Sequence, residues 1–331
     1  MATTLNRRRA CLGMVALLPL ALAGLRGAPA RAEAAWPARP IRLVLPFSAG
    51  GPGDTNTRLL AKALARQLGQ SVIVDNKPGA GGLIGAELVA RSAPDGYTLL
   101  VAGNGAVSNA LLRARMPYAD DALVPVASIS SAPSVIVAAA GASFNDLKSL
   151  QAYAKARGGI AFGTAGLGST GHFVAEMMRQ ALGVPVTVVH YKSGMETLNA
   201  VMGGQIDLAS EAPVGVLGFV RGGKLRALAV ADGHRTAVLP DVPTTVEQGF
   251  TAVRMQHWGG IYAPRGTPDA VLDRVAQATA LAYRSDPDLL AQMAAYGYQP
   301  VSGSREGFAR FLDDEKVRLG RLARAARMAA E

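Results

Sequence analysis

Two patterns of apolar residues recur along the chain. Short apolar runs such as Ile41–Phe47 are typical of buried strands. Each run leads through a turn into a segment with apolar residues at helical spacing, as after Asp54. We expect Asp54 or Thr55 to cap that first helix and Gly69 to end it. The repeated order of strand, turn and helix predicts an α/β fold whose strands run parallel.

The same pattern restarts after Pro133, which predicts two α/β domains. The chain is expected to cross between them near residues 132–134 and again near 256–259, so that two connections form a hinge. The predicted first domain is discontinuous and comprises residues 37–133 and 259–331. The second comprises residues 134–258.

The N-terminus has the pattern of an export signal, predicted to cover residues 1–32. Three arginines, Arg7 to Arg9, precede an apolar run from Cys11 to Leu25, and small residues follow. The apolar run is about 15 residues long, whereas a membrane-spanning helix needs about 20. A retained anchor is the less favoured alternative. We therefore expect cleavage after Ala30 or Ala32 and a periplasmic location.

Removal of the signal lowers the charge of the chain. The 331 residues carry a formal charge of +10, but five arginines precede the first acidic residue, Glu33. The remaining 29 basic and 24 acidic residues are mixed along the chain and form no basic stripe. This pattern argues against a nucleic-acid partner. The only cysteine, Cys11, lies in the signal, so the exported chain has no disulfide, cysteine nucleophile or thiolate metal site.

The first candidate site is the glycine-rich turn "SAGGPGD", Ser48 to Asp54, between a strand and a helix. It lacks the glycine and lysine spacing of nucleotide-binding loops. One interpretation is a tight turn that only needs glycine. The other is that Ser48, Gly50 and Gly51 present backbone N–H groups at the positive end of the helix, where a carboxylate would bind.

The second candidate site is the turn "GTAGLGSTGH", Gly163 to His172. Its serine lacks the flanking glycines of a hydrolase nucleophile. Ser169 and Thr170 are expected to cap the next helix, and their hydroxyls would also face a cleft. His172 has no second histidine at metal-ligand spacing, so a structural or hydrogen-bond-donor role is favoured over a metal site.

Two acidic residues and a set of C-terminal arginines each allow a structural and a functional interpretation. Asp207 is expected to have a turn or cap role, whereas Glu211 could face the cleft and pair with a ligand amine or hydroxyl. A single carboxylate without a nucleophile or oxyanion hole does not make an enzyme. Arginines recur every three residues near the C-terminus and predict a solvated helix face or, alternatively, a docking surface for a membrane partner; they are Arg318, Arg321, Arg324 and Arg327.

Seven motifs in order resemble the Bug family, the periplasmic receptors of tripartite tricarboxylate transporters. They are "PFSAGGPGD", "VDNKPGAGGLIGAELVARSAPDGYTLL", "FGTAGLGSTGHFVAEMM", "VHYKSGMETLNAVMGGQIDLA", "GGKLRALAV", "LPDVPTTVEQGF" and "WGGIYAPRGTP". The resemblance runs from about Pro40 to the C-terminus. It implies a periplasmic-binding-protein fold, two α/β domains joined by a two-strand hinge.

The resemblance also implies a function. The chain is expected to capture a small organic acid, which could be a di- or tricarboxylate, an aromatic carboxylate or an acidic amino acid, by hinge closure. It would deliver this ligand to the membrane permease components as a monomer, without metal or cofactor. The alternatives are a ligand sensor of the same fold and, less favoured, a hydrolase. The predicted ligand-binding residues are Phe47, Ser48, Ala49, Gly50, Gly51, Asp54, Asn104, Thr164, Ala165, Gly168, Ser169, Thr170, His172, Lys192, Ser193 and Glu211.

One stretch departs from the family pattern. Many relatives carry an apolar pair and then a polar ligand-facing position after the aspartate that corresponds to Asp207, whereas this chain has Ser210 and Glu211 there. If Glu211 lines the pocket, it would disfavour a second ligand carboxylate nearby and favour a hydroxyl, amide or ammonium group.

Overall fold

The computed structural model describes residues 36–301 and 303–328. The predicted signal peptide, residues 1–32, lies outside the described residues. The described residues from Pro37 onward form one compact unit. Among the helices of the described part, none is both long and apolar enough to cross a bilayer.

Eleven strands and ten α-helices are found in the described residues. The strands are β1 Ile41–Leu45, β2 Val72–Asn76, β3 Thr98–Gly103, β4 Leu123–Pro133, β5 Val135–Ala139, β6 Ile160–Thr164, β7 Val186–His190, β8 Leu208–Glu211, β9 Leu225–Val230, β10 Gln256–Pro264 and β11 Gln299–Pro300. The helices are α1 Pro52–Leu68, α2 Leu83–Ala90, α3 Gly105–Leu112, α4 Leu147–Arg157, α5 Thr170–Leu182, α6 Gly194–Met202, α7 Pro213–Arg221, α8 Asp269–Ser285, α9 Pro287–Ala295 and α10 Arg305–Ala325.

The strands form two sheets, which confirms the α/β class. The first has the order β11-β4-β10-β3-β1-β2 and the second β7-β6-β8-β5-β9. Strands β1, β2 and β3 run parallel, as do β6, β7 and β8. The expectation of wholly parallel sheets is wrong, because β10 runs antiparallel to β3 and β4, and β5 runs antiparallel to β8 and β9. At β5 and β10 the chain changes sheet, whereas the short edge strand β11, antiparallel to β4, is reversed without a change of sheet.

The chain passes from the first sheet to the second at Ser134, between β4 and β5, and returns between β9 and β10. The two crossings are hydrogen-bonded to each other. The Ser134 N–H donates to the Met255 carbonyl at 2.9 Å, and the Ala231 N–H donates to the Ser134 carbonyl at 2.8 Å. A division into domains 37–133 with 259–331 and 134–258, moving about these crossings, remains a prediction.

Helix α1 begins three or four residues earlier than expected. Gly51 is its N-cap and Pro52 its first residue, where the fixed φ of proline suits a helix start. Neither Asp54 nor Thr55 is the cap. Asp54 is instead the third helical residue, and its carboxylate accepts the backbone N–H of Gly50, the residue before the N-cap, at 3.0 Å. The predicted end at Gly69 is confirmed, with φ of +68°.

Helix α5 fixes the position of the second candidate loop. Ten of its thirteen residues are buried, including Phe173 at 0% exposure. Its apolar side chains pack between the second sheet and α10. Since buried side chains hold the helix on both faces, the loop that precedes it is carried by a rigid element rather than by a free turn.

Candidate functional site

The loop between β1 and α1 is braced by Asp54. One carboxylate oxygen accepts from Gly50 N–H at 3.0 Å and from Arg58 Nε at 2.8 Å, and the other accepts from Asn76 Nδ2 at 2.9 Å. Asn76 Nδ2 also donates to the carbonyl of Phe47 at 3.0 Å. Burial acts to raise the pKa of Asp54, but the hydrogen bonds from Arg58, Gly50 and Asn76 outweigh it and the pKa is lowered. The carboxylate therefore stays charged and holds the loop in one shape.

This bracing corrects one expectation. The N–H of Gly50 is used by Asp54, so it is not one of the amides open to a ligand. The N–H groups of Ser48, Ala49 and Gly51 have no hydrogen-bond partner among the described residues. Helix α1 also has no side-chain cap. The positive end of a 17-residue helix thus faces three open amides, an arrangement that binds anions.

Phe47 stands at the edge of this loop. Its side chain is 47% exposed, which is unusual for a large apolar residue. Its ring lies against Gly53, where a Cβ atom would be 3.4 Å from the ring. The first loop therefore offers an apolar ring beside its open amides.

The loop between β6 and α5 depends on two glycines in left-handed conformations, Gly166 at φ +108° and Gly168 at φ +71°. The Ser169 hydroxyl accepts the N–H of His172 at 3.3 Å, which confirms Ser169 as the cap of α5. Thr170 is the first helical residue and not a cap. Ala165 is half-buried in the same loop.

Two histidines support this second loop from below. His172 is buried, and its Nδ1 accepts the N–H of Gly168 at 3.1 Å, so it is an acceptor there and not the expected donor. Burial, followed by the charges of His190 and Arg179, lowers the pKa of His172 to about 4. The ring is therefore neutral at pH 7. The Thr164 hydroxyl lies 2.6 Å from Nδ1 of His190 and accepts the N–H of Gly166 at 3.3 Å.

Helix α3, which packs on the first sheet, touches the loop of the second sheet. A Cβ atom on Gly168 would lie 3.0 Å from Ser108 Oγ and 3.1 Å from the Leu112 side chain. Asn104 precedes this helix and is buried; its Nδ2 donates to the Gln256 carbonyl at 3.3 Å, and its Oδ1 accepts the Trp258 N–H at 3.4 Å. Asn104 therefore ties α3 to β10 at the return crossing.

Two buried hydroxyls next to the second loop are left without partners. Ser108 and Ser210 have no hydrogen-bond partner for Oγ among the described residues. Ser108 faces Gly168, and Ser210 lies 3.7 Å from the place a Cβ would occupy on Gly171. A buried hydroxyl without a hydrogen-bond partner costs about 1–3 kcal/mol of stability. A ligand that hydrogen-bonds to either hydroxyl would recover this cost, so both are candidate ligand contacts. No sequence pattern pointed to Ser108, because a serine inside a short helix is common without any ligand-binding role.

The remaining predicted residues lie around the N-terminus of α6. Ser193 caps α6 by accepting the Glu196 N–H at 3.2 Å, and the Lys192 side chain is exposed. Glu211 contacts Gly194 and accepts the Ala212 N–H at 3.3 Å. Burial raises the pKa of Glu211 to about 7, although the hydrogen bond from the Ala212 N–H acts to lower it.

Asp207, by contrast, is structural. It accepts the Ala161 N–H at 2.8 Å at the start of β6. Within the described ranges, no group of three or more His, Cys, Asp or Glu side chains could hold a metal ion.

Comparison with known proteins places this site in context. The sequence model of the tripartite tricarboxylate transporter family receptor, TctC, matches residues 57–328. Protein BugT of Bordetella pertussis is 34% identical over 300 residues, which cover 89% of this chain and 91% of that protein.

Solved structures agree with the sequence relatives. The periplasmic binding protein BugD superposes with a TM-score of 0.82 at 31% identity, over 89% of this chain and 100% of BugD. Rpa4515 of R. palustris, solved with adipate, superposes with a TM-score of 0.85 at 30% identity, over 89% of this chain and 100% of Rpa4515. MatC of Rhodopseudomonas palustris, solved with bound malate, superposes with a TM-score of 0.79 at 29% identity, over 87% of this chain and 99% of MatC.

Proposed function

We propose a ligand and a mode of action for this chain, which belongs to the family of tripartite tricarboxylate transporter receptors. It has the solute-binding fold of that family, whose members compared above are binding proteins and not enzymes. The proposal is that it captures a small organic carboxylate between its two predicted domains in the periplasm. It then delivers the ligand to the membrane components of the transporter.

The geometry of the first loop is the main support for a carboxylate ligand. The open N–H groups of Ser48, Ala49 and Gly51 lie at an uncapped helix N-terminus, and Asp54 fixes their loop from behind. Backbone amides and a helix dipole stabilise a carboxylate without an arginine clamp. Two similar structures contain malate and adipate, which are small carboxylates, and this supports the same class of ligand here.

The second loop supplies the other side of the site. Ser210 and the loop residues Thr164, Ala165 and Gly168–Thr170 would contact the ligand from the second sheet, and Ser108 from α3. These groups are hydroxyls and amides and carry no charge. Among the predicted ligand-binding residues of this half, Glu211 is the acidic one, and it remains largely protonated below its pKa of about 7. We therefore expect the second half to bind a neutral or hydroxyl-bearing part of the ligand in preference to a second carboxylate.

Capture by hinge motion follows from the two crossings. A ligand that touches both loops stabilises the arrangement in which they are close, and so shifts the population toward it. The pair of hydrogen bonds at Ser134 joins the crossings, and motion about this point would separate the loops. The closed form would then be the one that the permease recognises. A sensor that signals its ligand state to a membrane protein is the alternative use of the same motion.

Calorimetric titration tests the site. Malate, adipate, citrate, benzoate and glutamate would be titrated into the purified protein and into Ser108→Ala and Ser210→Ala. We expect one class of carboxylate to bind, and each variant to bind it about 5-fold more weakly, the value of one hydrogen bond. Ser285→Ala, at the exposed end of α8, is the matched control. Unchanged affinity in both site variants, at unchanged folding, would contradict the proposed site.

A further inference from the structure

The first sheet carries a cavity of about 170 Å³ on the face covered by α3 and α10. It is distinct from the open amides of the first loop, although Phe47 borders it. Its floor is a row across three neighbouring strands, because Tyr262 of β10 lies opposite Leu100 of β3 and Pro125 of β4. Leu312 of α10 covers the row from the other side.

The cavity exists because small residues surround it. Several lining positions in the sheet, a turn and two helices are glycine or alanine, among them Gly81, Gly82, Ala86, Ala102, Ala106 and Ala110. The cavity opens to solvent at its rim, and its mainly apolar lining with a few polar groups is typical of small-molecule sites. An apolar cavity of about 150 Å³ in another protein stays dry and binds benzene.

One end of the cavity is polar. The Tyr262 side chain is 5% exposed, and its hydroxyl has no hydrogen-bond partner among the described residues. Its ring packs on Phe308, with ring centroids 5.5 Å apart, so the hydroxyl cannot turn to solvent without losing this contact. Burial, with a smaller effect of Tyr118, raises the pKa of Tyr262 well above its usual range. The group is thus a neutral hydroxyl that lacks a partner.

The charges at the rim select against an anion. Asp120, Asp313 and Lys316 border the cavity and are exposed. Two carboxylates and one ammonium group give no net attraction for a carboxylate, unlike the amides of the first loop. Asn109 and Tyr118 are further polar side chains of the lining, and the Nδ2 of Asn109 already donates to the Gly81 carbonyl at 2.9 Å.

We propose that this cavity is a second binding site, for a small neutral ring compound that carries one hydrogen-bonding oxygen, such as a phenol. The ring fills the space left by the glycines and alanines. Its oxygen pairs with the Tyr262 hydroxyl. Because Phe47 borders both the cavity and the carboxylate loop, the two sites are adjacent and can be occupied together.

The test compares two probes that differ by one hydroxyl group. Phenol and toluene would be titrated into the purified protein, with binding followed by NMR line broadening of the probe. Phenol is expected to bind more tightly than toluene by about 2- to 12-fold, the value of one hydrogen bond. In Tyr262→Phe this preference should vanish while toluene still binds. Tyr296→Phe, an exposed tyrosine, is the matched control and should keep the preference.

A second variant tests the cavity itself. Ala110→Leu adds a side chain on the cavity side of α3 at a position where leucine suits a helix, and it should abolish binding of both probes. Thermal unfolding without probe checks folding, and Tyr262→Phe should unfold no earlier than the wild type because it removes an unpartnered hydroxyl.

Three results would overturn the proposal. The first is no binding of either probe at 10 mM, a concentration of about that order being sufficient for weak fragments. The second is phenol binding that both Tyr262→Phe and Ala110→Leu leave unchanged. The third is complete displacement of phenol by the carboxylate ligand, since that would make the cavity part of the carboxylate site. Absence of carboxylate binding alone would contradict the proposed function and leave the phenol result intact.

Discussion

Replacing Glu211 with glutamine is expected to stabilise the protein at pH 8 and to leave it unchanged at pH 4. The wild-type carboxyl is buried against Gly194, and the only hydrogen bond found for it among the described residues comes from the Ala212 N–H. At pH 8 this group must carry its charge in a largely buried position. Glutamine has the same shape, keeps an oxygen for the Ala212 N–H and carries no charge.

The magnitude follows from the pKa. Burial raises the pKa of Glu211 from 4.5 to about 7. Between these values the folded state holds a proton that the unfolded state has released, so the stability of the wild type falls as the pH rises through this range. One pKa unit corresponds to about 1.4 kcal/mol, and part of the side chain still reaches solvent, so we expect a difference of about 2–3 kcal/mol at pH 8.

The assay is urea unfolding of the wild type and Glu211→Gln at pH 4, 5, 6, 7 and 8. The difference in unfolding free energy should be near zero at pH 4, grow between pH 4.5 and 7, and then level off. Glu247→Gln is a control of opposite sign, because hydrogen bonds from Arg235 and Thr244 lower the pKa of Glu247. A constant difference for Glu211→Gln across the whole pH series would refute the reasoning.

Three further predictions concern the loops. Asp54→Ala removes the carboxylate that accepts hydrogen bonds from Gly50, Arg58 and Asn76. It should lower the free energy of urea unfolding by about 2–3 kcal/mol and weaken carboxylate binding in calorimetry by at least about 10-fold. Unchanged carboxylate affinity would show that binding does not need Asp54 to hold the loop. Gly168→Ala and Gly183→Ala both place a side chain at positive φ, which should cost about 1–2 kcal/mol of stability in each variant. Only the new methyl group of Gly168→Ala would press on Ser108, so only this variant should bind the ligand more weakly. Equal ligand affinities of the two variants in calorimetry would contradict this. The pKa of His172 is lowered to about 4 in the folded state, so its contribution to the free energy of unfolding is lost as the pH falls from 6.5 toward 4. His172→Asn should therefore lose less stability than the wild type over this pH range. Identical free energies of unfolding across the range, relative to pH 7, would contradict this.

The sequence predicted the local elements better than their assembly. Apolar runs located most strands, and Gly69 ended α1 as expected, since these depend on neighbours in the chain. Helix α3 and strand β4 were not anticipated. The antiparallel course of β5 and β10 could not be read locally either, because it is set by where the chain changes sheet.

The site shows the same division. The glycine-rich turns were recognisable, because positive φ at Gly50, Gly166 and Gly168 demands glycine. The sequence could not show that Asp54 would take the Gly50 amide or that Ser108 would lie against Gly168. Both are contacts made by tertiary packing. The seven ordered motifs, by contrast, gave the family correctly.

The central claim is that this receptor binds a small organic carboxylate. A thermal-shift screen of the purified protein measures this directly, with citrate, malate, adipate, benzoate, glutamate and nicotinate as test ligands and ATP and NAD as controls. A ligand at 100 times its Kd adds about 2.7 kcal/mol of stability, which raises Tm by several degrees for a chain of this size. We expect such a shift for one class of carboxylate and none for ATP or NAD. A shift with ATP or NAD, and none with any carboxylate, would contradict it.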